Sequence, residues 1–159
     1  MSEIAIRSAV AGDIDSLIGL MEQYWRYDGI HGFNETRIRL QLQAFFSMPT
    51  YGCGWVAEEK GGALAGYLLT TFIFSFEHGG LTAEVDELFV TEGSRGKKLG
   101  TQLLSAACMG LEEHGCVSLQ MQVATDNEAA RAFYSGRGFA EKGGYTLWVA
   151  PLNAVARGS

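Results

Sequence analysis

The sequence predicts a mixed α/β domain of order β-α-α-β-β-β-α-β-α-β-β, on three observations. Two β-favouring runs, 55–58 and 63–69, flank Glu59-Lys60-Gly61-Gly62, which is a hairpin signal. A strand-like run from Glu84 to Val90 passes through a short basic, glycine-containing loop into an amphipathic helix. After that helix, Val117 to Val123 alternates cleanly, so 85–123 reads as a parallel strand–helix–strand crossover. With 159 residues, 47% of them hydrophobic, the chain has material for one core. A single domain is expected over 1–152, with a frayed tail over 153–159.

Each element has its own signal. Ile4-Ala5-Ile6-Arg7 alternates as a first strand, and Asp13 is placed to N-cap a helix. Ile14, Leu17, Ile18, Met21, Tyr24 and Trp25 recur at helical spacing, and the helix should stop near Tyr27-Asp28-Gly29. A second helix is expected from Glu35 to Ser47, with Ile38, Leu42 and Phe45 inward and Pro49 closing it. The strand after the first hairpin should reach Phe74 or beyond before His78-Gly79-Gly80 turns the chain. Asn127 suits an N-cap and Glu128 the first turn of a late helix. Gly136 and Gly138 release that helix, and a Gly143-Gly144 turn separates Ala140-Glu141-Lys142 from a final strand, Tyr145 to Val149.

The chain is organised around Glu84 to Leu104. Val85, Leu88, Phe89 and Val90 give the content of a buried strand, while Leu99, Leu103, Leu104, Ala107 and Leu111 fall on one helical face. A helix start leaves backbone N–H groups unpaired and carries partial positive charge. Preceded by Arg95, Lys97 and Lys98, this one is suited to a phosphate or pyrophosphate.

Net charge is −6, which argues against a duplex nucleic-acid binder and mildly favours a cationic substrate. No run reaches the roughly 18–20 apolar residues that span a bilayer, so no membrane partner is expected. Met1-Ser2-Glu3-Ile4 lacks the basic-then-apolar pattern of a signal peptide, and the expected compartment is the cytosol. Cys53, Cys108 and Cys116 lack metal-ligand spacing and read as free thiols. His31, His78 and His114 are scattered, so no metal site is expected. No Gly-x-x-x-x-Gly-Lys-Ser/Thr occurs, which removes the P-loop enzymes.

Two motifs carry a resemblance. Arg95 to Gly100 resembles the pyrophosphate loop of motif A in the GNAT N-acetyltransferase superfamily, Gln/Arg-x-x-Gly-x-Gly/Ala. Arg95 and Gly100 match its ends, whereas Lys98 replaces its middle glycine. That substitution requires either a compatible backbone at Lys98 or a shifted diphosphate. The run Asn127 to Phe139 is similar to motif B of the same superfamily, N-x-x-A-x-x-F-Y-x-x-x-G-F. The resemblance implies a GNAT-like acyl-CoA N-acyltransferase fold whose parallel strands splay apart. Acetyl-CoA would insert there, pairing with backbone around Leu88, Phe89 and Val90. Arg95, Gly96, Lys97, Lys98, Gly100, Thr101 and Asn127 would complete its site. By analogy it also implies a homodimer.

Acetyl transfer to an amine needs a proton acceptor. An alkyl amine of pKa about 10.4 is neutral in roughly one molecule in 2,500 at pH 7, equivalent to about 4.6 kcal/mol. The departing thiolate then needs a donor, and the resemblance puts Tyr134 in that role, since a phenol bears its proton at pH 7. For the base, Glu84 and Asp86 share a face of a regular strand and are preferred, acting through water. A β-bulge would reassign the faces and bring in Glu87.

Glu22, Tyr24, Tyr27 and Asp28 combine rings and carboxylates suited to an ammonium-bearing acceptor, and GNAT folds roof the acceptor site with this region. The function expected is transfer of acetyl from acetyl-CoA to a primary amine of a small molecule, polyamine-like or amino-acid-like. Direct attack in a ternary complex is expected. The alternatives are a protein N-terminal or lysine acetyltransferase and a non-catalytic acyl-CoA sensor.

Overall fold

The computed structural model describes residues 3–155, and the chain divides at Gln122 and Val123 into two compact units. The first unit is a five-stranded sheet in the order β1-β2-β3-β4-β5. Its strands are β1 (Ile4–Ser8), β2 (Gly52–Glu59), β3 (Leu64–Ser75), β4 (Gly80–Val90) and β5 (Ser118–Met121). The first four pair antiparallel, and β4 pairs with β5 in parallel.

Helices α1 (Ile14–Tyr27) and α2 (Glu35–Ser47) cover one face of the sheet. Their Leu17, Ile18, Met21, Ile38 and Leu42 close over Val56, Tyr67, Leu69 and Phe89. Side chains alternate along a strand, so the neighbours Trp55 and Leu68 face the other way. There α3 (Leu99–Glu113) buries Leu99, Leu103, Leu104, Ala107 and Leu111. Gly110 lets α3 approach: a Cβ built on it would lie 2.6 Å from Cζ2 of Trp55.

Asn34 caps α2, its Oδ1 accepting from the Arg37 N–H at 2.9 Å. Asp13 precedes α1 as expected, but its carboxylate does not cap that helix. It accepts from the Val10 N–H at 2.8 Å and from both terminal nitrogens of Arg7, at 2.8 and 2.9 Å. Arg7 also donates to Glu58, tying β1 to β2. A charged partner, Arg7, lies close by in the preceding strand, and it outcompetes the helix cap.

The second unit contains α4 (Glu128–Ser135), capped by Asn127, whose Oδ1 accepts from the Ala130 N–H at 3.1 Å. A 3-10 turn spans Leu152–Ala154. The last two expected strands are corrected here: among the described residues, 140–149 form no strand. Gly144 takes its left-handed turn at φ +89°, yet Tyr145, Leu147, Trp148 and Val149 are exposed. Alternation reports which side chains can share a face, not whether a neighbouring strand supplies the ladder. Likewise β5 is shorter than the expected 117–123. Of the expected frayed tail, 156–159 lies outside the described residues.

Candidate functional site at the end of strand β4

The β4–β5 ladder runs from Thr82 opposite Ser118 to Val85 opposite Met121, and there it stops. β5 ends at Met121, while β4 continues to Val90. Residues 86–90 therefore have no neighbouring strand on that side among the described residues. On the other side the pairing continues, and the Thr91 N–H reaches Ala65 O at 2.9 Å. Hydrogen-bonded and non-bonded pairs alternate along an antiparallel ladder. Phe89 is thus bonded to β3, and Leu88 and Val90 turn their N–H and C=O groups to the open side.

The loop after β4 explains the lysine. Lys98 has φ 62° and ψ 20°, left-handed, and is the only non-glycine with positive φ among the described residues. Of the two alternatives that the sequence leaves open, it takes the compatible backbone, at a cost of about 1 kcal/mol. Gly96, at φ +80°, also lies in the left-handed region. Such alternation curls backbone N–H groups inward into an anion-binding concavity. The helix then begins, with the Gln102 N–H bonded to Lys98 O at 3.1 Å, so the Leu99 and Gly100 amides start it without an intrahelical acceptor. Lys97 and Lys98 are exposed beside them.

The three carboxylates of β4 have separate environments. The β3–β4 register slips between Leu69–Glu87 and Thr70–Val85, leaving Asp86 as the extra, bulged residue. After the bulge, Glu87 is directed beneath α1 and is only 8% exposed. Its Oε2 accepts from Trp25 Nε1–H and its Oε1 from the Tyr67 hydroxyl, both at 2.8 Å. Burial raises the Glu87 pKa, the Trp25 and Tyr67 hydrogen bonds oppose the rise, and Asp86 adds to it. Asp86 is also raised, first by protein packed around its carboxyl and then by the charge of Glu84. Glu84 accepts from the side-chain amides of Gln120 at 2.9 Å and Gln122 at 3.2 Å.

Tyr24 and Tyr27 lie against β4: their rings are 5.9 and 6.4 Å from the ring of Phe89. The Arg95 guanidinium sits 4.3 Å over the Tyr27 ring and 5.8 Å from that of Phe89, while its Nε–H donates to Val90 O at 3.2 Å. Gln23, Arg26, Tyr27, Phe89, Glu92 and Arg95 line an open cleft of about 300 Å³. Asp28 only ends α1. The sequence groups Tyr27 with an acceptor site, and the structure also brings it against the basic loop. The contact links α1 to a loop far along the chain, and no local pattern signals it.

In the second unit, Tyr134 is half-buried on α4, its ring edge-on to Phe133 at 5.1 Å and Phe139 at 5.6 Å. Burial raises its pKa, so the phenol holds its proton at neutral pH. Among the described residues no group of three His, Cys, Asp or Glu could hold a metal ion. No helix among them is long and apolar enough to cross a membrane.

The acetyltransferase (GNAT) family model matches residues 16–139. The chain belongs to that family. An integron cassette protein, HFX_CASS3, from the mobile metagenome of Cole Harbour Salt Marsh is 30% identical, with a TM-score of 0.80. The alignment covers 91% of this chain and 89% of that one. Aminoglycoside N-acetyltransferase AAC(6')-Iy, solved with CoA, is 16% identical with a TM-score of 0.81, covering 94% of this chain and 96% of that chain. Aminoglycoside antibiotic 6'-N-acetyltransferase AAC(6')-Ih from Acinetobacter baumannii is 13% identical with a TM-score of 0.77, covering 94% and 99%. These last two likenesses establish the GNAT fold. The chain is a GNAT acetyltransferase whose basic loop carries lysine where the motif has glycine.

Proposed function

We propose that the protein transfers acetyl from acetyl-CoA to a primary amine of a small molecule by direct attack in a ternary complex. The observation that carries this reading is the free edge of β4 from Asp86 to Val90, running into the left-handed turn at Lys98. An acyl-CoA fits these residues on three counts. Leu88 and the Val90 N–H offer a ladder edge to amides, the loop amides and Leu99–Gly100 offer donors to a diphosphate, and Lys97 and Lys98 add positive charge. When bound, acetyl-CoA supplies the activated acyl group. The AAC(6')-Iy neighbour has been solved with CoA and with a CoA-linked acetylneamine analogue, which supports an amine acceptor.

Within this reading Asp86 is the base, with Glu84 beside it. A carboxylate of raised pKa is a stronger proton acceptor than an ordinary one, and Asp86 is the reachable one of the raised pair. It takes the ammonium proton directly or through water. Glu84, bonded by two amides, contributes negative charge that holds the Asp86 pKa up. Glu87 has each oxygen occupied by Trp25 or Tyr67 and serves the core. Tyr134 keeps its proton and donates at the leaving sulfur. Polyamine-like and amino-acid-like acceptors both suit an acidic protein with net charge −6.

The test is to mix protein, acetyl-CoA and a panel of primary amines and follow free thiol. Amine-dependent release supports the reading and ranks the acceptors. Binding of acetyl-CoA without release by any amine would contradict it and favour a sensor.

A further inference from the structure

We infer that Tyr27 is a positioning residue for the donor: it holds the Arg95 side chain in the orientation that meets the diphosphate. This rests on the reading of the β4 edge and its loop as an acyl-CoA site. Arginine has several rotatable bonds and keeps them free on an exposed loop unless something fixes them. Here three contacts do so. The Tyr27 ring lies under the guanidinium at 4.3 Å, Phe89 flanks it at 5.8 Å, and Val90 O takes the Nε–H at 3.2 Å.

The Nε–H is thereby used within the protein. The terminal amino groups of Arg95 have no protein acceptor among the described residues, and the residue opens the segment that carries Gly96 and Lys98, the two left-handed positions of the loop. A guanidinium with one edge anchored and the other free is ready for the paired oxygens of a phosphate. Ordering the side chain before the ligand arrives removes that part of the binding cost. Tyr27 reaches it because α1 ends there, and the residue is 69% exposed, wide of the core that Leu17, Ile18 and Met21 form. Unlike an acceptor role for the same ring, this positioning role makes the effect of Tyr27 depend on the diphosphate.

The experiment measures dissociation constants of acetyl-CoA and of S-acetylpantetheine, which lacks the diphosphate, by ligand-observed NMR. Wild type, Tyr27→Ala and Tyr27→Phe are compared. Tyr27→Ala is expected to weaken acetyl-CoA about three- to fivefold, the size of an exposed cation–π contact. It should leave S-acetylpantetheine unchanged, and Tyr27→Phe should match wild type on both ligands because the ring face remains. Equal weakening of both ligands by Tyr27→Ala would overturn the inference in favour of a general structural role. So would no effect on acetyl-CoA. Wild-type protein that binds no acetyl-CoA would overturn the donor-site reading itself, and this inference with it.

Discussion

Trp25 Nε1–H donates to Glu87 Oε2 at 2.8 Å, joining the end of α1 to β4 one residue past its bulge. With Tyr67 on the other oxygen, the contact places a carboxylate in the apolar layer where Phe89 meets α1. The bulge sets which face of β4 each later residue presents, and the end of the β5 ladder at Met121 leaves the edge open at Leu88 and Val90.

Glu87→Ala removes the acceptor of two buried donors and should destabilise the fold by about 2–4 kcal/mol in urea unfolding. Glu87→Gln keeps an acceptor for Trp25 and a donor for the Tyr67 oxygen, and should cost much less. The pH response follows from the raised folded pKa. Between the unfolded value of about 4.3 and the folded one, the folded state binds more protons, so wild-type stability falls as pH rises through that window. Glu87→Gln should flatten that fall.

Asp13 has the opposite sign. The hydrogen bonds from Arg7 lower its pKa, so its contribution is present above about pH 4 and is lost as pH falls through the lower folded value. Asp13→Asn should lower stability by about 2 kcal/mol at pH 7 and have little effect at the acid end of the transition. Chemical unfolding at pH 7 and pH 3 measures both.

How much was legible follows the range of each interaction. Helix α2 has the bounds the sequence predicts, because the inward Ile38, Leu42 and Phe45 and the closing Pro49 are all local signals. The strand–loop–helix around Val90 and Leu99 was found for the same reason. The faces of Glu84, Asp86 and Glu87 were not settled, because one bulged residue at Asp86 reverses them and no residue type announces it. Lys98 could be flagged as a departure from the motif, but only the backbone shows that lysine itself adopts the left-handed turn. The run Tyr145 to Val149 misled, since its alternation is a property of one segment and a strand is a property of two.

Lys98→Gly tests the loop. Its backbone is already left-handed, so glycine opens no new approach to a phosphate and removes a charge. The relieved strain and the added freedom of the unfolded chain nearly cancel, leaving stability within about 1 kcal/mol. Acetyl-CoA binding should weaken severalfold, with a smaller salt dependence, as calorimetry at two ionic strengths would show.

Gly110→Ala should lower Tm despite the better helix propensity of alanine. The added Cβ meets the indole of Trp55, only 6% exposed, and displacing it costs about 1–3 kcal/mol. Trp55 fluorescence should shift in the folded variant.

Tyr134→Phe removes only a hydroxyl. If that group donates to the leaving sulfur, kcat should fall by about 10²–10⁴ while acetyl-CoA affinity holds. A change under twofold would remove Tyr134 from the chemistry.

The central claim is that the open edge of β4 and the turn at Lys98 form a donor site. It is tested most directly by titrating acetyl-CoA into the protein in a calorimeter, with no amine present. The account predicts saturable binding of one acetyl-CoA per chain, weakened when Arg95 is replaced by Ala. No heat of binding at millimolar acetyl-CoA, with the protein folded, would contradict it.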